Sequence, residues 1–232
     1  MASASKAKFL AGYFKTGPGE YGEGDTFLGV TVPEQRRIAK RFAAMPFPEY
    51  ERMLASHIHE HRVSALIALV HLYEVASLPE QKKIVDFYLA HTKRINNWDL
   101  VDASASYILG AYLFENKKSR AILRKLAHSK DLWERRIAIV ATHYFIRRGD
   151  FADTLTISEL LLRDTHDLIY KAVGWMLREV GNRDRATLEQ FLEVHAHVMP
   201  RTMLRYAIEK FPQSKRSYYL GLRALKIKKD RS

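Results

Sequence analysis

Asp167-Leu168-Ile169-Tyr170-Lys171-Ala172-Val173-Gly174-Trp175-Met176-Leu177-Arg178-Glu179-Val180 reads with a helical period. At about 100° per residue, Ile169, Ala172, Val173, Met176 and Val180 fall on one side, as the buried face of an amphipathic helix requires. Trp175 falls off that side. Lys171 and Arg178, four residues before it and three after, share its face. A large aromatic held between two cations away from the core marks a site more often than a packing position.

The same period continues outward along the chain. Nearly every segment after residue 33 repeats it, and the alternating β-branched runs with Asn-Gly or Asp-Gly turns that announce strands are missing. The pattern predicts an all-α protein with helices near residues 5–14, 33–44, 48–56, 59–76, 79–92, 97–114, 117–127, 131–148, 151–162, 166–181, 184–198, 200–211 and 214–229. Pro33, Pro48, Pro79 and Pro200 stand where a first-turn proline is tolerated, and Gly149 and Gly181 where helices end. Helix pairs recur about every 35–40 residues, which fits degenerate repeats of the HEAT kind. The expected architecture is a right-handed α-solenoid with a concave basic face wide enough for a duplex. It forms a single domain over 1–232: an N-terminal helical cap and Gly-rich segment (1–32), helical repeats (33–214) and a basic C-terminal helix or tail (215–232).

Composition narrows the partners. The chain has 232 residues, 47% of them hydrophobic, and 38 Lys and Arg against 26 Asp and Glu give a formal charge of +12. A phosphate-bearing partner suits that balance, because each phosphate neutralised releases counterions and adds affinity. A merely soluble basic protein is the other reading of the same charge. With no cysteine, disulfides, thiolate nucleophiles and zinc-thiolate sites are excluded. The start of the chain lacks an apolar signal core, and the longest clean apolar run, 65–70, is too short to span a bilayer. The expectation is an intracellular, cytoplasmic protein that associates with the nucleoid through DNA, with no membrane contact. His57, His59 and His61 alternate around a helix and make no metal site, so no metal is expected. Residues 215–232 hold seven basic side chains and one acid, either a solvated face or a grip on phosphates.

Asn97-Trp98-Asp99-Leu100-Val101-Asp102 is the second segment of interest. In the helix read over 97–114 the core stripe is Leu100, Val101, Ser104, Ile108 and Ala111. Trp98 and Asp102 lie together on another side, although Leu109 shares it. The alternative is that Trp98 packs between helices and the acids simply favour a helix N-terminus. In the helix starting at Asp131, Trp133 lies on the stripe with Ile137, Val140 and Tyr144 and reads as core. Arg136 flanks that seam and could line a groove, while Arg135 points nearly opposite and reads as solvated; both could also be ordinary surface charge.

Over its whole length the chain resembles the AlkD-like DNA alkylation repair glycosylases, built from HEAT-like repeats. The resemblance is carried by Phe27-Leu28-Gly29-Val30-Thr31-Val32-Pro33, Arg37-Ile38-Ala39-Lys40, Asn97-Trp98-Asp99-Leu100-Val101-Asp102, Trp133-Glu134-Arg135-Arg136 and Lys171-Ala172-Val173-Gly174-Trp175-Met176-Leu177-Arg178-Glu179. It implies Asp102 as the catalytic carboxylate and Trp98 and Trp175 as aromatic walls around the damaged nucleotide. Arg136, Arg178 and Lys171 become contacts to the DNA backbone. The implied reaction is hydrolysis of the N-glycosidic bond of cationic N3- and N7-alkylated purines in duplex DNA, by a monomer without a cofactor and without flipping the base into a closed pocket.

The chemistry suits so sparse a residue set. Glycoside hydrolysis ordinarily needs two carboxyl groups, one of them to protonate a poor leaving oxygen. A cationic alkylpurine leaves as a neutral base, so one carboxylate suffices to stabilise the sugar cation and orient water, and indole faces favour the cationic nucleotide. The competing reading is a non-catalytic HEAT-like module that binds damaged or branched DNA. A protein-binding α-solenoid scaffold is a third.

Overall fold

The computed structural model describes residues 2–229, with side chains through residue 222. The cations predicted beyond residue 222 therefore lie outside the described side chains. The described chain is all-helical, as the periodicity requires. Its contacts cluster into two compact units, Met1–Tyr112 and Leu113–Ser232.

The first unit holds α1 (Ala4–Tyr13), α2 (Val32–Arg41), α3 (Phe47–Leu54), α4 (His59–Val75), α5 (Leu78–Ala90) and α6 (Trp98–Asp102). The helix α4 is its spine: α2, α3, α5 and α6 all pack on it, and Val63, Leu66, Ile67 and Leu69 are buried. Local chemistry fixes where these helices start. Thr31 with Glu34 before α2, and Ser77 with Glu80 before α5, form capping boxes, each followed by a first-turn proline. Such a box satisfies donors that the first turn leaves without partners.

After α6 the chain follows a helical path through Ala103, a π-turn over Ser106–Gly110, and α7 (Ala111–Glu115), which crosses the boundary between the units. The Gly110 amide bonds to the Ala105 carbonyl, five residues back, at 3.0 Å. The extra residue rotates the following helix face by about 100°. This explains Leu109, which the wheel set apart from the core but which is fully buried beside Ile108. The single helix predicted over 97–114 is corrected to these pieces.

The second unit contains α8 (Ala121–Ala127), α9 (Leu132–Ala141), α10 (His143–Ile146), α11 (Ala152–Leu160), α12 (Asp167–Arg183), α13 (Arg185–His195), α14 (Arg201–Ala207) and α15 (Gln213–Lys229). Its spine is α12, packed on α9, α13 and α14. Asp131 caps α9 by accepting from the Trp133 and Glu134 amides. Gly149 ends the α10 turn with φ +77°, as expected of a terminal glycine. Gly181 does not end a helix, because α12 runs on to Arg183; a Cβ there would come within 2.4 Å of the Leu188 side chain on α13. Closeness of packing, not a helix stop, is the reason for that glycine.

Gly174 has the same role against α14, where an added Cβ would meet the Met203 carbonyl oxygen and the Tyr206 Cβ, both at 2.5 Å. One of those obstacles is backbone and cannot swing aside. Gly174→Ala is expected to lower unfolding free energy by about 1–3 kcal/mol, the usual cost of overpacking. Urea denaturation read by circular dichroism gives the value, and an unchanged midpoint would contradict the close approach.

Candidate functional site

The helix α6 is a single turn, too short to hold its shape by backbone bonds alone, and its surroundings supply the constraint. Asn97 precedes it as N-cap, its Oδ1 accepting from the Trp98 amide at 2.8 Å. Leu100 and Val101 are fully buried, whereas Trp98 and Asp102 are half-buried. The Trp98 indole stacks on Phe14 of the segment after α1, with centroids 5.1 Å apart and planes at 14°, and Tyr13 meets it edge-on at 5.9 Å. Behind Asp102, the Ser104 hydroxyl donates to the Leu100 carbonyl at 2.6 Å and pairs with the buried Tyr88 hydroxyl at 3.0 Å. Burial, and secondarily the charge of Asp102, hold the Tyr88 phenol protonated well above its ordinary range.

Asp99 ties this turn to α4. Its Oδ1 accepts from the Leu100 amide at 2.9 Å, and its Oδ2 lies 2.8 Å from His59 Nε2. The other ring nitrogen of His59 lies 3.0 Å from Asp25 Oδ2, which also accepts from Arg62 Nη2 at 2.6 Å. Only 2% of His59 is exposed, and its ring packs against the stacked pair Phe14 and Phe27, each centroid 4.8 Å away and the two 5.2 Å from one another. Carboxylates only accept, so both ring nitrogens must donate, which requires the imidazolium form. Burial opposes that charge, but the hydrogen bonds to Asp25 and Asp99 outweigh it and raise the pKa to about 8. Burial likewise pushes Asp25 up, and His59 and Arg62 more than reverse it, so its carboxyl titrates below the usual range.

The neighbouring carboxylate, Glu60, organises the Gly-rich segment. Its Oε1 accepts from the amides of Leu28 (3.0 Å), Gly29 (2.8 Å) and Val30 (3.3 Å), and Oε2 adds a second contact to Leu28. An isolated parallel bridge pairs Thr26 with Ile58 just before it. The segment from Gly17 to Gly29 is thus laced to the first turn of α4. Between α1, the start of α2 and α4 lies a largely apolar cavity of about 470 Å³, lined by Phe9, Phe14, Phe27, Val30, Val32 and Val63 among others, with His59, Glu60 and Asp99 at its polar edge.

The second unit carries the other predicted residues. Trp175 is half-buried on α12, its ring 5.6 Å from that of His143. Lys171 pairs with Asp167 at 2.6 Å. Arg178 hydrogen-bonds Glu209 through Nη1, and its Nε lies 3.8 Å from Glu179. These three share one face of α12. Arg136 is placed differently: it is only 5% exposed, and its Nη1 donates to the Leu168 carbonyl at 2.6 Å, holding the first turn of α12. Arg135, read as solvated, is corrected: its Nε donates to Asp164 at 2.6 Å and its Nη1 to the Ser129 and Lys130 carbonyls at 3.0 Å each. The buried Asp164 carboxylate needs a cation, and Arg135 supplies it. Trp133 is buried, as its stripe predicted.

Sequence reasoning missed His59, Asp25, Asp99 and Glu60. Among the described residues no group of three or more His, Asp or Glu side chains is arranged to hold a metal ion, and no helix is long and apolar enough to cross a membrane.

Helices packed around the central α4 in one unit and the central α12 in the other define an all-α helical-repeat protein. Comparison with known proteins narrows the class. A family model described as DNA alkylation repair enzyme matches residues 1–211, and the chain belongs to that family. A solved structure described as a predicted DNA alkylation repair enzyme from Enterococcus faecalis superposes with TM-score 0.73 at 17% identity, covering 92% of this chain and 98% of that one. This likeness shows the HEAT-like helical fold. No curated protein matches in sequence. Membership of a DNA-repair family makes DNA the partner class that the charge of +12 suits.

Proposed function

We propose that this chain is a monofunctional DNA N-glycosylase that releases cationic N3- and N7-alkylated purines from duplex DNA. The observation that carries the reading is Asp102, half-buried one turn from Trp98 on a helix anchored at Asn97 and Asp99, in a chain of the DNA alkylation repair family. In this reading Asp102 stabilises the sugar cation as the neutral base departs and orients the incoming water. The base needs no general acid, and the nucleotide need not flip into a closed pocket. Trp98 stacks on the cationic nucleotide, and Trp175 of the second unit offers an indole face of the same kind. The monomer needs no cofactor.

Lys171 and Arg178 are assigned to DNA phosphates. Each now faces a carboxylate, Asp167 and Glu209 respectively, which a phosphate must displace. Arg136, buried against α12, contributes by holding that helix in place. Arg178→Glu is expected to weaken binding of damaged and undamaged duplex alike and to reduce the slope of log K against log salt by about 1. Fluorescence anisotropy across a salt series measures it, and an unchanged slope would remove Arg178 from the phosphate contacts.

Incubation with methylated duplex DNA, followed by chromatography of the released bases, tests the activity. Free 7-methylguanine or 3-methyladenine supports the glycosylase. Tight binding without release assigns the chain to the non-catalytic module instead.

A further inference from the structure

We propose that His59 is a positioning residue for the candidate site: clamped as an imidazolium between Asp25 and Asp99, it fixes α6, and through α6 the placement of Trp98 and Asp102. The inference rests on the reading of Asp102 as the catalytic carboxylate, and its geometry is independent of that reading.

With only five residues, α6 is a weak helix. Its exit passes into Ala103–Ala105 and a π-turn, not a continuing α-helix, so its orientation depends on side-chain anchors. Asp99 is the anchor that crosses to α4. Its Oδ1 is committed to the Leu100 amide and its Oδ2 to His59, so the carboxylate has no spare freedom. The ring of His59 is in turn fixed by Asp25 on the opposite nitrogen and by its packing against the stacked Phe14 and Phe27 rings. Phe14 also stacks on Trp98, so one ring sets both the backbone turn and the indole above it.

The charge on His59 is what makes the clamp two-sided. A neutral imidazole has one donor and one acceptor nitrogen, so losing the proton leaves either Asp25 or Asp99 facing a lone pair. Asp25 keeps its bond to Arg62, whereas Asp99 has no second cation in the network. The remaining proton therefore stays on Nε2 facing Asp99, the bare Nδ1 can accept from Arg62, and the Asp99 contact weakens from an ion pair to a bond from a neutral donor. The charged groups facing the ring are Asp25 from the Gly-rich segment, Asp99 from α6 and Arg62 from α4 itself, whose Nη2 stands 3.3 Å from Nδ1. From α1, Lys6 reaches the adjoining cavity, and Glu60 lines it beside His59. With the imidazolium holding its proton to about pH 8, the clamp is tight below that pH and loosens above it.

Two readouts follow on the full chain. Hydrogen exchange of the Val101 and Ala103 amides, which bond to the Asn97 and Asp99 carbonyls, reports on α6. Their protection factors are expected to fall about tenfold from pH 7 to pH 9, with a midpoint matching the His59 ring titration seen by NMR. Single-turnover excision of 7-methylguanine is expected to fall in parallel. Asp99→Asn is the discriminating variant. It removes the carboxylate charge that pairs with the imidazolium, so titration of His59 no longer turns this contact from an ion pair into a neutral bond, and the alkaline loss of protection and of rate should both disappear.

Protection that stays constant while His59 titrates overturns the proposal, and so does an Asp99→Asn profile identical to that of the unsubstituted chain. If no base is released at any pH, the glycosylase reading fails, and the exchange data alone still decide the role of His59.

Discussion

Replacing Asp102 with asparagine is expected to reduce the single-turnover rate of 7-methylguanine release by about 10²–10³-fold, the scale seen when one group facing developing charge is removed. Asparagine keeps the shape and the hydrogen-bonding oxygen but not the negative charge, and only the charge distinguishes stabilisation of a sugar cation from ordinary packing. Affinity for undamaged duplex should change by no more than about twofold, because loss of an acid near the phosphates does not weaken binding. The side chain is half-buried and α6 is anchored at Asn97 and Asp99, so the fold should survive the exchange. A rate within a few-fold of the original, in a protein that still binds, would show that Asp102 does not act on the sugar.

The largest expected loss of stability lies away from Asp102. Glu60→Leu fills the same space and leaves the Leu28, Gly29 and Val30 amides without their acceptor. An unsatisfied buried donor costs about 1–3 kcal/mol; with partial relaxation towards water, the total is expected at about 3–5 kcal/mol. Glu60→Gln separates this cause from loss of charge. All three amides reach Oε1, and a glutamine oxygen can accept in its place, so the cost should be about 1 kcal/mol. Urea unfolding of the two variants gives both numbers, and equal losses would refute the amide-cradle explanation.

The clamp at His59 also sets a pH window for stability. Its pKa is raised from 6.5 to about 8, so its contribution is complete below the unfolded value and lost as pH rises through 8. That shift corresponds to about 2 kcal/mol. Asp25 is shifted downwards and works in the other direction, contributing above its unfolded value and losing it as pH falls.

What could be read in advance divides along a physical line. The spine α12 was legible because its buried face obeys one period over 17 residues, and Trp175 stood out as the exception to it. The π-turn at Ser106–Gly110 was not, since a fixed 3.6-residue period cannot express an inserted residue; the misplaced Leu109 was its only trace. Asp102 and Trp98 were visible as a pair, being four residues apart. His59 was invisible, because its two partners lie 34 and 40 residues away and its sequence neighbours, His57 and His61, suggest only a polar helix start. Arg135 was misread for the same reason: the acid it serves, Asp164, is 29 residues downstream. Local spacing reveals faces of helices, and long-range ion pairs escape it.

The Gly-rich segment is uneven in what it permits. At Gly29, φ is +77° and an added Cβ would come within 2.2 Å of the Ser3 carbonyl; at Gly22 it would come within 2.4 Å of the Phe14 carbonyl. Gly19 and Gly24 also have positive φ, but nothing lies within 4 Å of their missing side chains, so asparagine or aspartate could stand there at modest cost. The usable alphabet thus shrinks to one letter at positions 22 and 29 and widens at 19 and 24. Homologues could diverge freely in the tip of this loop while its two fixed glycines keep Phe14 and the α1 backbone in register.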